Sequence, residues 1–234
     1  MPRARTIGAK VAWATYTLIA INLALFVIVA AQAKSITDVA ASSRVFADGA
    51  LWGPFMASGE YWRLLTAGFL HFSLIHVGIN MFSLYILGRD VELTLGTARF
   101  VGIYLTSLLG GSAAVMLFGD PLAINAGASG AIFGLMGATL VVVLKAKIPA
   151  AGLYGIIALN VVLSFTIPNI SIWAHFGGLA FGAAAAAGIV YGPELLPARS
   201  RNSRNATAVG FLAMGLLIVA AVVIGIVKAQ TLTF

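Results

Sequence analysis

Apolar runs about twenty residues long, the length a helix needs to cross a bilayer, recur along this chain and constrain it most. Seven can be read, at approximately 11–32, 66–88, 97–118, 127–146, 150–168, 174–191 and 206–227. Composition agrees: 61% of residues are hydrophobic and 9% charged, against roughly 25% charged in ordinary soluble chains. So few charges could not cover a water-facing surface, so lipid must be the solvent for most of the chain. The expected fold class is an all-α polytopic membrane protein with seven transmembrane helices. Intrinsic disorder and a nucleic-acid partner are excluded on the same grounds. The chain has no cysteine, which removes disulfides, thiol nucleophiles and thiolate metal sites. The first run is longer than the core of a signal peptide and is expected to remain as a span, although Ala31-Gln32-Ala33 leaves cleavage open.

The net charge of +7 carries a topology. With the N-terminus cytoplasmic, the inner side collects Arg3, Arg5, Lys10, Arg89, Arg99, Lys145, Lys147, Arg199, Arg201 and Arg204. The outer side collects only Lys34, Arg44, Arg63 and Lys228. Positive residues favour the inner side, so the N-terminus is expected inside and the C-terminus outside. One connection is long: residues 33–65 form an outer loop carrying Trp52, Pro54, Phe55, Tyr61 and Trp62. Amphipathic rings at this density suit the headgroup region, and the loop is expected to lie partly in the membrane. The chain is thus read as a single membrane domain, 1–234. It comprises a cytoplasmic N-terminus at 1–10, a six-helix core at 11–191 that includes the outer loop, a basic inner loop at 192–205 and a seventh helix at 206–227. No inverted repeat of the transporter kind is visible.

Ionisable or strongly polar residues inside a membrane point to function. The three histidines, His71, His76 and His175, all fall in the outer portions of spans, whereas acidic residues are nearly absent from spans. His76 and Asn80 are four apart and share a helix face. His71 would lie about 140° round the same helix. The fourth run opens Asn125-Ala126-Gly127-Ala128-Ser129-Gly130, with Gly130, Gly134 and Gly137 recurring at helical spacing. The sixth opens Ala174-His175-Phe176-Gly177-Gly178, with Gly178 and Gly182 near the face of His175. Small residues permit close helix contact. Two glycine faces in contact would bring Ser129 and His175, at equal depth, within hydrogen-bond reach. Each element alone could be structural: small-residue packing at Ser129, interhelical hydrogen bonding at His76 and Asn80.

The ordered set of motifs is more specific. It comprises Trp62-Arg63, His71, His76 with Asn80, Leu87-Gly88 with Glu92 and Gly96, Arg99-Phe100, Gly127-Ala128-Ser129-Gly130, and Ala174-His175 with Gly177, Gly178 and Gly182. In these residues the chain resembles the rhomboid intramembrane serine proteases. The resemblance implies a six-helix core with a Ser–His dyad, extended in many members by a seventh helix. It implies Ser129 as nucleophile, His175 as general base, and His76 with Asn80 as the side-chain part of an oxyanion hole. Trp62-Arg63 corresponds to the structural motif of the first loop. Phe133 stands where many members carry Tyr, so an aromatic ring without a hydroxyl is expected against His175. No acidic residue is placed to orient that imidazole, and a dyad is expected. The implied activity is cleavage of transmembrane segments of other membrane proteins near their outer ends, without cofactor or metal. The preferred substrates would carry Gly, Pro or small polar residues there. The chain's size and lack of targeting features point to a bacterial plasma membrane. The partners are then membrane-protein segments and lipid; nothing in the sequence signals an oligomeric state.

Other chemistries fit less well. A zinc-dependent protease would carry two histidines around a glutamate at helical spacing, and an aspartyl protease two intramembrane carboxylates; neither is present. A zinc site from His71, His76 and His175 is chemically allowed but would leave Ser129 and Asn80 without a role. The alternative from another class is a catalytically silent rhomboid-like protein that binds transmembrane segments.

Overall fold

The computed structural model describes residues 11–166, 170–200 and 204–234. Residues 1–10, Arg201 of the basic loop and the end of the fifth run at 167–168 lie outside the described residues. The described chain is helical, with one isolated antiparallel bridge between Leu51 and Asn125. Ten α-helices follow in order: α1 Trp13–Ala33, α2 Arg44–Gly49, α3 Gly53–Ala57, α4 Arg63–Thr66, α5 Leu74–Leu95, α6 Thr97–Phe118, α7 Ser129–Lys145, α8 Ala151–Thr166, α9 Ile172–Val190 and α10 Arg204–Gln230. Four of them, α1, α6, α9 and α10, are long and apolar enough to cross a membrane. A fifth span counts if α5 is joined to the segment before it. The chain is an integral membrane protein.

The second run departs from expectation. Its helix does not begin at 66: Arg63–Phe69 and α5 meet at 92°, with the corner at residues 70–73. Ser73, extended and with its hydroxyl accepting from the His76 N–H, caps α5 at Leu74. His71 therefore sits in the corner and shares no helix with His76. At its other end α5 continues to Leu95, and Gly96, at φ +90, turns the chain directly into α6. A side chain rarely adopts that backbone conformation.

This extension puts Glu92 inside the helix and buries it. Its carboxylate accepts from the N–H groups of Ala14 and Thr15 at 3.1 and 2.8 Å, and from the hydroxyls of Thr15 and Thr97 at 2.8 Å. The N-terminus of α1 has no cap of its own, Ala12 preceding it. An acid from another helix satisfies the free N–H groups and meets the positive end of the helix dipole.

The centre of the bundle is α6, α7 and α9, packed through glycines. A Cβ on Gly178 would lie 1.9 Å from the Gly130 carbonyl oxygen, and one on Gly182 would lie 2.2 Å from that of Gly134. On α6, a Cβ at Gly111 would meet the Ala174 carbonyl oxygen at 2.8 Å. Backbones this close gain dispersion contacts that bulkier residues would forbid. α10 packs on α6 and α9, α1 chiefly on α5, and α8 makes few contacts, all but one of its residues lying at least partly exposed.

Candidate active site

Residues 33–65 are ordered by hydrogen bonds, and they hold the connection that leads into α7. Leu51 exchanges both backbone bonds with Asn125 at 2.9 Å, Gly53 N–H donates to the Pro121 carbonyl at 3.0 Å, and the Trp52 indole donates to Leu122 O at 3.0 Å. Inside the loop, the Arg63 side chain is 2% exposed. It donates to the carbonyls of Ala47 and Ala50 at 2.6 and 2.7 Å and to Glu60 Oε2 at 2.8 and 2.5 Å, with the Phe55 ring 4.3 Å away. Glu60 is thus the partner of Arg63. Trp62 stays half exposed, its indole N–H on Asp48 O at 3.2 Å.

The pinned connection ends at Gly127, whose φ of +138 suits glycine and whose N–H donates to Ala67 O at 2.9 Å. Two residues later Ser129 is the first residue of α7. The helix has no side-chain cap, and its first intrahelical bond runs from Ile132 N–H to Ala128 O. The N–H groups of Ser129, Gly130 and Ala131 are therefore free of intrahelical partners, at the positive end of the helix dipole.

His76 approaches from α5. A Cβ on Gly127 would stand 3.0 Å from His76 Nε2 and 3.7 Å from Ser129 Oγ, so glycine leaves the gap between them open. The other ring nitrogen, Nδ1, accepts a long bond of 3.4 Å from Phe72 N–H. A neutral imidazole that accepts at Nδ1 carries its hydrogen on Nε2. His76 thus turns a donor toward the Ser129 end of α7. Asn80, one turn further along α5, is buried, and its amide donates to His76 O at 2.9 Å. His71 lies with its ring edge on His76, centroids 5.0 Å apart. Among the described residues no three His, Cys, Asp or Glu side chains are grouped to hold a metal.

His175 is the fourth residue of α9, a helix capped by Ser171. It is 7% exposed, and the Phe133 ring stacks on its imidazole at 3.9 Å and 13°. The Gly130–Gly178 contact brings the start of α9 against the start of α7, with Ala174 O beside Gly130. No hydrogen bond joins Ser129 Oγ to the His175 ring. The imidazole is held instead from α8, where Ser164 Oγ lies 2.6 Å from His175 Nδ1. Nothing in the sequence singles out Ser164, because a serine in a weakly amphipathic apolar helix gives no periodic signal. Its 6% exposure appears only once α8 and α9 are packed. A small, partly open cavity lies beside Ser129 and is lined also by Leu51, Ala67, Ser112, Asn125 and Gly127.

The chain is 40% identical over 141 residues to the rhomboid protease GluP of Bacillus subtilis (strain 168), an alignment covering 56% of this chain and 27% of that protein. The match thus spans about a quarter of the relative's length. The Rhomboid domain family matches residues 58–192, from just after α3 to just past the end of α9. That is more than half of the chain and includes His76, Asn80, Ser129, Phe133, Ser164 and His175: this protein belongs to the rhomboid family.

Proposed function

We propose that the protein is an intramembrane serine endopeptidase that cleaves transmembrane segments of other membrane proteins near their outer ends. The reading is supported by one arrangement: an uncapped helix N-terminus bearing Ser129 has His76 across Gly127, and the start of α9, which carries His175, packs on it through the Gly130–Gly178 contact.

Each group has a role that its chemistry suits. Ser129 Oγ attacks the scissile carbonyl carbon while His175 takes the hydroxyl proton, since a serine hydroxyl is a weak nucleophile without a base. Hydrogen bonds of this kind tighten when substrate is bound. Negative charge gathers on the carbonyl oxygen and meets the His76 Nε2–H, the Asn80 amide and the free N–H groups of α7; preorganised donors of this type act most strongly where water is sparse. Collapse breaks the C–N bond, His175 returns its proton to the leaving amine, and water then hydrolyses the Ser129 ester by the same route. Gly127, Gly130, Gly178 and Gly182 keep these parts at contact distance, Phe133 flanks the base, and Trp62 and Arg63 hold the loop that seats α7. No cofactor is assigned.

The membrane setting extends the proposal. All of residues 1–234 form one membrane domain, with the N-terminus inside, the C-terminus and site opening outside, and a seventh helix, α10, added to a six-helix core. The shorter helices α7 and α8, of 17 and 16 residues, rise about 25 Å at 1.5 Å per residue. That approaches the hydrocarbon thickness of about 30 Å, which supports counting them as spans. A substrate helix shields its carbonyls by hydrogen bonding, so segments with Gly, Pro or small polar residues near the outer end, which unwind readily, are the expected targets.

The test is labelling of the purified protein in detergent with a fluorophosphonate serine-hydrolase probe. Wild type should label, and Ser129→Ala and His175→Ala should not. A folded wild type that fails to label would sink the protease reading and favour a silent binder of transmembrane segments.

A further inference from the structure

For His175 to act as a base toward Ser129, its Nε2 must carry a lone pair, and a neutral imidazole has one hydrogen to place on two nitrogens. Two hydrogen bonds at Ser164 decide where it goes. Ser164 Oγ lies 2.6 Å from His175 Nδ1 and 2.7 Å from the carbonyl oxygen of Asn160, one turn earlier in α8. A carbonyl only accepts, so the single hydroxyl hydrogen of Ser164 is committed to Asn160. The oxygen of Ser164 then has only lone pairs to offer, and His175 Nδ1 must be the donor.

We propose that Ser164 is the positioning residue that holds His175 in its Nδ1–H form and so leaves the Nε2 lone pair for Ser129. The chain of donors runs from His175 Nδ1–H to Ser164 Oγ–H to the Asn160 carbonyl, near the C-terminal, negative end of α8. Donation to the carbonyl makes the hydroxyl oxygen a better acceptor, because successive hydrogen bonds polarise one another. When His175 takes the Ser129 proton at Nε2, its Nδ1–H bond becomes charge-assisted and strengthens. An acidic residue performs this orientation in serine–histidine–aspartate triads. Here a neutral hydroxyl does so, which spares a carboxylate its cost in the membrane. Ser164 is the only buried residue of α8, so the one point at which this sparsely packed helix enters the interior is the point at which it touches the base.

The consequence for rate rests on the protease reading; the tautomer does not. The experiment takes the whole protein, ¹⁵N-labelled at histidine, in detergent or nanodiscs. It records the ring-nitrogen resonances of His175 alongside the rate of fluorophosphonate labelling. Wild type should show a protonated Nδ1 and an unprotonated Nε2. Ser164→Ala should move His175 toward the Nε2–H form and slow labelling about tenfold, the loss expected for one net hydrogen bond, and Ser164→Thr should restore both. A wild-type His175 protonated at Nε2 would overturn the proposal, as would Ser164→Ala leaving tautomer and labelling unchanged. Should the alanine variant not fold, Ser164→Cys replaces it, a thiol being a poor partner, and the wild-type spectrum decides the tautomer without any variant. Failure of wild type to label, with Nδ1–H intact, would strike the protease reading and leave the tautomer assignment standing.

Discussion

Arg63 is a full positive charge with almost no solvent, and four of its five N–H donors have partners. Two backbone carbonyls and one carboxylate take its N–H groups, and a Phe55 ring covers the remaining face. Removing Arg63 leaves the carbonyls of Ala47 and Ala50 without their donor, and each buried acceptor left unsatisfied costs about 1–3 kcal/mol. Arg63→Ala should therefore lower the thermal midpoint sharply in detergent. Arg63→Lys should recover only a small part, because an ammonium cannot reproduce the planar fork; full recovery would mean that charge alone matters. The dipeptide Trp62-Arg63 is legible in the sequence. Its carbonyl acceptors are not, since Ala47 and Ala50 carry no distinguishing side chain and become partners only through the path of the backbone.

At the scale of elements, two contacts organise the bundle. The first is between α7 and α9, where glycine is required by proximity: Gly178→Ala would place a methyl group 1.9 Å from a carbonyl oxygen. The two helices must separate, and overpacking of this kind costs about 1–3 kcal/mol or more. Gly178→Ala should thus lose both stability and serine labelling. Gly215→Ala, on α10 where nothing lies within 4 Å, should be neutral or slightly stabilising, alanine being the better helix former. Equal effects of the two would refute the packing argument. The second contact is Glu92 on α1. Glu92→Ala removes a charged acceptor from four donors and should destabilise by about 1.5–3 kcal/mol, with α1 becoming the first segment cut in limited proteolysis. The glycine faces of α7 and α9 are legible from helical spacing alone. Glu92 is legible as a motif residue but its contact with α1 is not, because a charged stretch at 89–92 has the composition of an inner loop at the end of a span, whereas the helix runs on to Leu95.

The whole molecule is a set of helices whose outer and inner ends should differ in charge, and the absence of cysteine makes that testable. Ser58 and Ala146 are exposed and lie on connections at opposite ends of the bundle in the proposed topology. In intact cells or spheroplasts, Ser58→Cys should react with a membrane-impermeant maleimide, and Ala146→Cys only after permeabilisation. The reverse pattern would invert the orientation while leaving the site geometry untouched.

Run length and charge scarcity were enough to determine that this chain lives in lipid as helices, because those properties are local and additive along the sequence. The residues Ser129, His175, His76 and Asn80 were also legible, since polar groups in an apolar run stand out one by one. What only the tertiary structure decided depends on directions in space. The 92° corner took His71 off the helix of His76. The packing of α8 against α9 gave His175 a hydroxyl partner from Ser164. Phe72 and Ser164 sit on the Nδ1 atoms of the two imidazoles, so one histidine offers a proton where the other offers a lone pair. Hydrogen bonds are directional and reach about 3 Å, so no spacing in the sequence can specify them until the helices have met.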